Sequence, residues 1–401
     1  MEDTSAAPTH WAQELDLEPV KNQNGPAEAA TAQKGVRQPW REYWPLTCGS
    51  RLYEKFQIEF PDILSWRFDS TRPFERPWRF WRDRIAPGKE GDLYKGAEES
   101  KEEPLLRQRA ASESAIQADS RRNLDEQLKK LNMIAVESVP FYYLAPLDLY
   151  RVQKPYRHQM PNIDGLKRSN VVTQCHPVTV YEVSGNEHVF TLEKSGFEFA
   201  KCPVSMEDWT ESSVIEQYIP RLEDWLKGYL GCEQVSVYTY RFRKKNHNAE
   251  KCDWGGPLFR VHCDSTEQSC NAKAKLYLPD TPESLMKGRI RCLNVWRPIT
   301  TPVQDCPLAM CDARTVNKED LVSMDIVYPH YSDEAYEVMY SPTHRWFYKK
   351  GMQSDDIIIF KLGDNSETEA TVCPHSAFMD PSLPSGAPSR VSIEIKAIVF
   401  G

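Results

Sequence analysis

The sequence has no Cys-x-x-Cys pair, no apolar run near the roughly 18 to 20 residues of a membrane span, and no excess of positive charge. Each absence excludes a class of protein. The cysteines, Cys48, Cys175, Cys202, Cys232, Cys252, Cys263, Cys270, Cys292, Cys306, Cys311 and Cys373, are odd in number and scattered. Zinc-ribbon and thioredoxin-like motifs are thereby excluded, and reduced thiols acting as small buried hydrophobes are expected. Acidic residues outnumber basic ones, 58 to 50, which argues against a phosphate-tracking surface and a nucleic-acid partner. Met1 to Gly25 hold no apolar stretch suited to a signal peptide, so a cytoplasmic chain without a membrane span is expected. There is no internal repeat. What remains is an ordinary globular balance, 40% hydrophobic and 27% charged over 401 residues, enough for one large core and a second region.

Composition divides the chain into three. Residues 1–38 are rich in Ala, Pro, Gln, Asn and acid without apolar periodicity, and read as a disordered tail. Residues 39–134 read as an N-terminal extension. It opens with Trp40, Trp44, Trp66, Trp78 and Trp81 among Phe, Tyr, Pro and Arg, continues through a charged linker at 88–103, and ends in a helix from about Pro104 to Leu131. Aromatics in this pattern are burial material; a lid or a homo-oligomer contact is the functional alternative.

Residues 135–401 carry many short strand-like runs with Pro- and Gly-rich connections, the pattern of a barrel or jelly roll with flanking helices. Val178 to Phe199 reads as strand, turn and strand around Ser184-Gly185-Asn186. Val214, Tyr218, Leu222, Trp225 and Tyr229 mark an amphipathic helix that Pro220 interrupts and Gly231 ends. Val235–Phe242, Leu258–Cys263, Arg291–Ile299, Asp356–Leu362 and Val391–Phe400 follow as strands.

His262-Cys263-Asp264 is the one His-x-Asp in the chain. On a strand, residues i and i+2 share a face, so this imidazole and carboxylate converge. Two histidines and a carboxylate take one face of octahedral iron(II) and leave three positions open. Downstream, His330, His344 and His375 compete to be the second histidine. Fifteen residues after His375 stands Arg390-Val391-Ser392, at the start of an alternating strand. Val391, Ile393, Ile395, Ala397 and Val399 form its apolar face; Arg390, Ser392, Glu394 and Lys396 point the other way. A guanidinium and a hydroxyl on one face can hold a carboxylate. Arg345 also lies fifteen residues after His330, but Phe347 stands where the serine would be, and His344 has no such arginine. His375 is the expected distal ligand.

His-x-Asp, a distal His and Arg-x-Ser together resemble the iron(II)/2-oxoglutarate dioxygenase superfamily. More narrowly, residues 170 to 400 resemble the fungal gibberellin-desaturase-like and cephem-methoxylase-related oxygenases. That likeness is carried by Leu192-Glu-Lys-Ser-Gly-Phe-Glu-Phe199, Leu293-Asn-Val-Trp-Arg-Pro-Ile299, Pro307-Leu-Ala-Met-Cys-Asp-Ala-Arg314, His344-Arg-Trp-Phe-Tyr348 and Pro374-His-Ser-Ala-Phe378. Cys263 between the proximal ligands and the 113-residue gap to His375 depart from the usual superfamily pattern.

The resemblance implies a double-stranded β-helix, Fe(II), 2-oxoglutarate as co-substrate, dioxygen, and a small hydrophobic natural product as substrate. It makes His262, Asp264 and His375 the metal-binding and catalytic residues, with the distal carboxylate of 2-oxoglutarate on Arg390 and Ser392. Asn294, Arg297 and Tyr240 are further co-substrate candidates, each with a structural alternative: a hydrogen bond, an ion pair, a core tyrosine. His344, Trp346 and Tyr348 could shape the substrate pocket or belong to the core. Hydroxylation, desaturation and cyclisation all remain open, as do a protein substrate, a non-catalytic interaction module and zinc hydrolysis. The arginine–serine pair has no role in the last of these.

Overall fold

A computed structural model describes residues 118–159, 167–244, 255–328, 331–366, 370–383 and 386–401. The tail, the aromatic segment, the linker and His330 lie outside the described residues, as does any oligomer contact that the extension makes. The described chain opens with helix α1, residues 118–130, which agrees with the helix expected up to Leu131. Leu124 is fully buried, Leu128 packs on the inner core, and Asp125 pairs with Arg345 at 3.0 Å.

Nine strands form the larger, curled sheet: β1 (Ile134–Leu144), β2 (Tyr156–His158), β3 (Thr173–Glu182), β6 (His262–Cys263), β8 (Leu308–Cys311), β9 (Leu321–Val327), β10 (Ser332–Val338), β11 (Trp346–Tyr348) and β13 (His375–Ala377). Their order is β1-β3-β11-β8-β13-β6-β10-β9-β2. Five form the smaller: β4 (Phe197–Lys201), β5 (Gln234–Lys244), β7 (Ile290–Pro298), β12 (Asp356–Asp364) and β14 (Val391–Phe400), in the order β4-β12-β7-β14-β5. The architecture is the expected jelly roll, mostly β with flanking helices.

Period-two alternation decides which side chains fill which layer. One core cluster lies between the sheets and takes Met310 and Phe347 from the larger sheet and Trp296, Phe360, Ile398 and Phe400 from the smaller. A second covers the outer face of the smaller sheet, where Ile393, Ile395, Ala397 and Val399 meet helix α2 (Ile219–Leu230). The third, with Trp346 and Tyr348, lies on the other face of the larger sheet. Strands β7 and β12 are buried at every position because they have core on both faces.

Three local expectations need correction. Over Val178–Phe199 the turn falls at Ser184-Gly185 as expected, but the second strand does not follow it directly, and β3 and β4 belong to different sheets. Between them Thr191 caps a one-turn helix, Leu192–Ser195, which Gly196 closes at φ +78°. A Cβ at Gly196 would lie 3.1 Å from the Val372 carbonyl oxygen, so only glycine lets the chain cross here. Pro220 interrupts the helix as the pattern implies: a π turn over Val214–Tyr218 precedes it, and regular α2 begins at Ile219 with the proline in its first turn. Gly231 ends α2 in the left-handed conformation, as the pattern implies.

The strand expected over Leu258–Cys263 is only His262–Cys263, with isolated bridges at Gly255 and Arg260 before it. Finally, the cysteines are not uniformly reduced: Cys270 and Cys292 are joined. Helix α3 (Glu267–Tyr277) lies on β7 with these two Cα atoms 5.8 Å apart. Cys202, Cys232, Cys263, Cys311 and Cys373 are free and buried, while Cys175 is free and exposed.

Candidate metal centre

Strand pairing brings the sequence-distant ligands together. In the larger sheet β13 runs antiparallel to β6, and His375 stands directly opposite His262. Both imidazoles face the sandwich interior, their ring centroids 4.4 Å apart. Asp264, two residues beyond His262, completes a cluster whose candidate ligand atoms all lie within 4.8 Å of one another. Its Oδ1 is 3.6 Å from His262 Nε2 and its Oδ2 is 3.8 Å from His375 Nε2. His262, Asp264 and His375 are the one such cluster among the described residues.

The tautomers follow from the backbone. His262 Nδ1 is 2.7 Å from the Arg260 carbonyl oxygen, and His375 Nδ1 is 3.0 Å from that of Cys373. A carbonyl only accepts, so each Nδ1 carries the proton and donates it. Each Nε2 lone pair is left facing the cluster, the state a metal ligand needs. Burial, helped by the neighbouring His262, pushes the His375 pKa down to about 4, so this ring stays neutral. Burial alone would raise the Asp264 carboxyl; the Lys396 ammonium beside it outweighs burial and holds the group well below the usual carboxylate range.

Across the sandwich, β14 presents its polar face. Arg390 is 2% exposed, donates through Nη1 to the Cys306 carbonyl oxygen, and has its guanidinium 5.4 Å from the Trp296 ring centre. It forms no ion pair among the described residues, and burial lowers its pKa to about 10. Arg390 Nε, Ser392 Oγ, Trp296 Nε1 and Asn294 Oδ1 are buried with no hydrogen-bond partner among the described residues. Buried polar groups left without partners are costly unless a ligand satisfies them. Two neutral imidazoles, a carboxylate and this carboxylate-seeking face fit iron(II) with 2-oxoglutarate.

Asn294 is at the centre, donating from Nδ2 to Asp264 Oδ2 at 3.2 Å. Arg297 is not. Odd parity on β7 turns it to the opposite face, where it donates to the carbonyl oxygens of Ser354 at 2.8 Å and Val204 at 2.5 Å and lies over Trp209 and Tyr218. Tyr240 is likewise turned away and packs with Phe242 in the core beneath α2. A bulge in β5 beside Lys396 and Ala397 puts Tyr238, not Tyr240, in the inner core. Trp346 and Tyr348 are core, tied to Tyr143 and Asp380 respectively, and His344 is held by Asp320 and Tyr143.

Three residues were not singled out from the sequence. Glu394 and Lys396 share the Arg390 face by alternation, a signal present in the sequence. Arg243, which grips Glu394 through Nε and Nη2 at 3.0 and 3.1 Å, had none, since the β5–β14 register is a tertiary fact. Arg243 and Glu394 line one cleft with His262, Asp264, His375 and Arg390.

A family model described as "Oxidoreductase/YMDC permease-like domain" matches residues 141–400. The Fe(II)/2-oxoglutarate-dependent dioxygenase nvfI of Aspergillus novofumigatus is 28% identical over 245 residues, covering 59% of this chain and 87% of that protein. The hydroxylase/desaturase CTB9 of Cercospora beticola is 30% identical over 261 residues, covering 59% and 79%. Among solved structures, the iron and alpha-ketoglutarate-dependent endoperoxidase NvfI superposes with a TM-score of 0.60 at 26% identity, over 67% of this chain and 98% of that one. Among the described residues no helix is long and apolar enough to cross a membrane.

Proposed function

Because the chain belongs to the oxidoreductase/YMDC permease-like family and, with it, to the iron(II)/2-oxoglutarate-dependent dioxygenases, we propose that His262, Asp264 and His375 hold the iron and that Arg390 and Ser392 hold the distal carboxylate of 2-oxoglutarate. The enzyme is an oxidoreductase using Fe(II), 2-oxoglutarate and dioxygen. Bound at this centre, the metal and co-substrate supply the oxidising power that breaks a substrate C–H bond.

The chain contributes position and exclusion. The Arg260 and Cys373 carbonyls lock both Nε2 atoms toward the metal. Trp296 and the Cys306 carbonyl keep the Arg390 fork aimed along β14, and Ser392 Oγ adds a second donor on the same face. The surrounding core keeps bulk water from the oxidant. The observation that carries this assignment is the pair of orphaned polar groups, Arg390 Nε and Ser392 Oγ, on the strand facing the His–Asp–His cluster.

Relatives named as dioxygenase, hydroxylase/desaturase and endoperoxidase support a small, hydrophobic natural product as substrate, oxidised in secondary-metabolite biosynthesis by hydroxylation, desaturation or cyclisation. We take residues 135–401 as the oxygenase domain. The test is anaerobic addition of Fe(II) and 2-oxoglutarate, which is expected to give a weak visible charge-transfer band that His375→Ala abolishes. A folded, metal-loaded protein without that band would sink the assignment.

A further inference from the structure

The inner face of β14 carries one more charge than the co-substrate anchor uses. Lys396 stands directly opposite Asn294 across the β14–β7 pair. Both reach the same atom: Lys396 Nζ lies 3.1 Å and Asn294 Nδ2 3.2 Å from Asp264 Oδ2. Oδ1 remains turned toward His262 Nε2. Of the other charges nearby, Glu394 is paired with Arg243 and Lys273 with Asp333, while Arg390, which lines the same cleft, is the cation assigned to the co-substrate. Asp264 and Lys396 therefore cancel, and the three donors present no net negative charge to a cation.

We propose that Lys396 is a positioning residue that confines Asp264 to the metal through one oxygen and, by cancelling the carboxylate charge, weakens the cation site until a dianionic co-substrate joins it. The inference rests on reading His262, Asp264 and His375 as the metal centre. Two effects of removing Lys396 compete. Losing a second donor loosens the ligand, which ordinarily costs metal affinity. Losing an ammonium beside the cation removes a repulsion that a buried, low-dielectric setting magnifies. Asn294 still holds Oδ2 when Lys396 is gone, so orientation survives and charge decides the sign. For 2-oxoglutarate the sign is opposite, because the same ammonium attracts its two carboxylates.

The test is a titration of Mn(II), followed by electron paramagnetic resonance of the free ion, with and without 2-oxoglutarate. Lys396→Met should tighten Mn(II) binding in the absence of co-substrate by about tenfold and weaken 2-oxoglutarate binding to the Mn(II)-loaded protein by about tenfold. Lys396→Gln, which keeps a donor but loses the charge, should do the same and is the variant to read if the methionine variant does not fold. Lys396→Arg should restore both affinities. Loss of both affinities together in folded variants would make Lys396 merely structural and overturn the proposal, as would no change in either. Should the wild type bind no Mn(II), or His375→Ala bind it as well as the wild type, the metal-centre reading itself fails instead.

Discussion

Arg390 and Arg297 show how one residue type divides between a candidate site and the scaffold. Both are buried arginines of the smaller sheet, Arg390 immediately before β14 and Arg297 on β7, yet one turns into the sandwich and the other outward. Arg390→Met should weaken 2-oxoglutarate binding by about 30- to 150-fold, the equivalent of roughly 2 to 3 kcal/mol for a charged hydrogen-bonded contact. Titration of the charge-transfer band measures it, and unchanged affinity would mean that the co-substrate binds elsewhere. Arg297→Met should leave that affinity alone and lower unfolding stability by about 2 kcal/mol, because it strands the Ser354 and Val204 carbonyls. Period-two alternation along β7 separates Arg297 from Asn294 and Trp296 in the sequence itself; which of the two faces looks inward is set only by sheet packing.

Two elements carry interactions with steep costs. On β12, Lys361 is fully buried, with Nζ 2.8 Å from Asp364 Oδ2, 3.1 Å from Glu193 Oε2 and 2.9 Å from the Ala370 carbonyl oxygen. Arg289 joins the same two carboxylates at 2.6 and 2.7 Å. Removing one cation from such a network uncovers a buried charge, so Lys361→Met should lose about 3 to 5 kcal/mol in urea unfolding. Gly363, two residues on, sits at a bulge where a Cβ would lie 2.7 Å from Cys270 Cβ. Gly363→Ala should therefore cost about 1 to 3 kcal/mol through overpacking. It should also raise the count of reactive thiols by pushing Cys270 from Cys292. Hydrophobic runs located both β7 and β12 to within two residues. They were silent about the ion network and the disulfide, which need strands far apart in sequence to pack first.

For the molecule as a whole, acid is the revealing stress. Burial would raise Asp364, but Arg289 and Lys361 prevail and hold it far below the ordinary carboxylate range. Asp320 and Asp356 are lowered too, against burial, by His344 and by the Gln353 N–H and Lys349 respectively. Their contributions are fully present above the unfolded pKa near 4 and are lost as pH falls below it. Glu337, raised by burial, acts in the opposite sense. Lowered carboxylates outnumber the raised ones, Glu198 and Glu337, which predicts a thermal midpoint that drops on acidification below about pH 4. Asp364→Asn should flatten that drop; an unchanged slope would show that the network is already protonated or open.

Chemistry-bearing spacing was determined by the sequence alone. His262 and Asp264 had to share a face at an offset of two, and Arg390 and Ser392 had to share another, because a strand repeats every second residue. The selection of His375 also came from local pattern, through the arginine and serine that follow it. Tertiary structure decided what no local period encodes. It set His375 opposite His262 across β6 and β13, turned Arg297 and Tyr240 outward, and brought Arg243 to Glu394. It also laid Lys396 and Asn294 on one oxygen of Asp264. Pairing register and sheet-on-sheet packing depend on contacts far apart in the chain, and those contacts set the charge balance around the His262, Asp264 and His375 cluster.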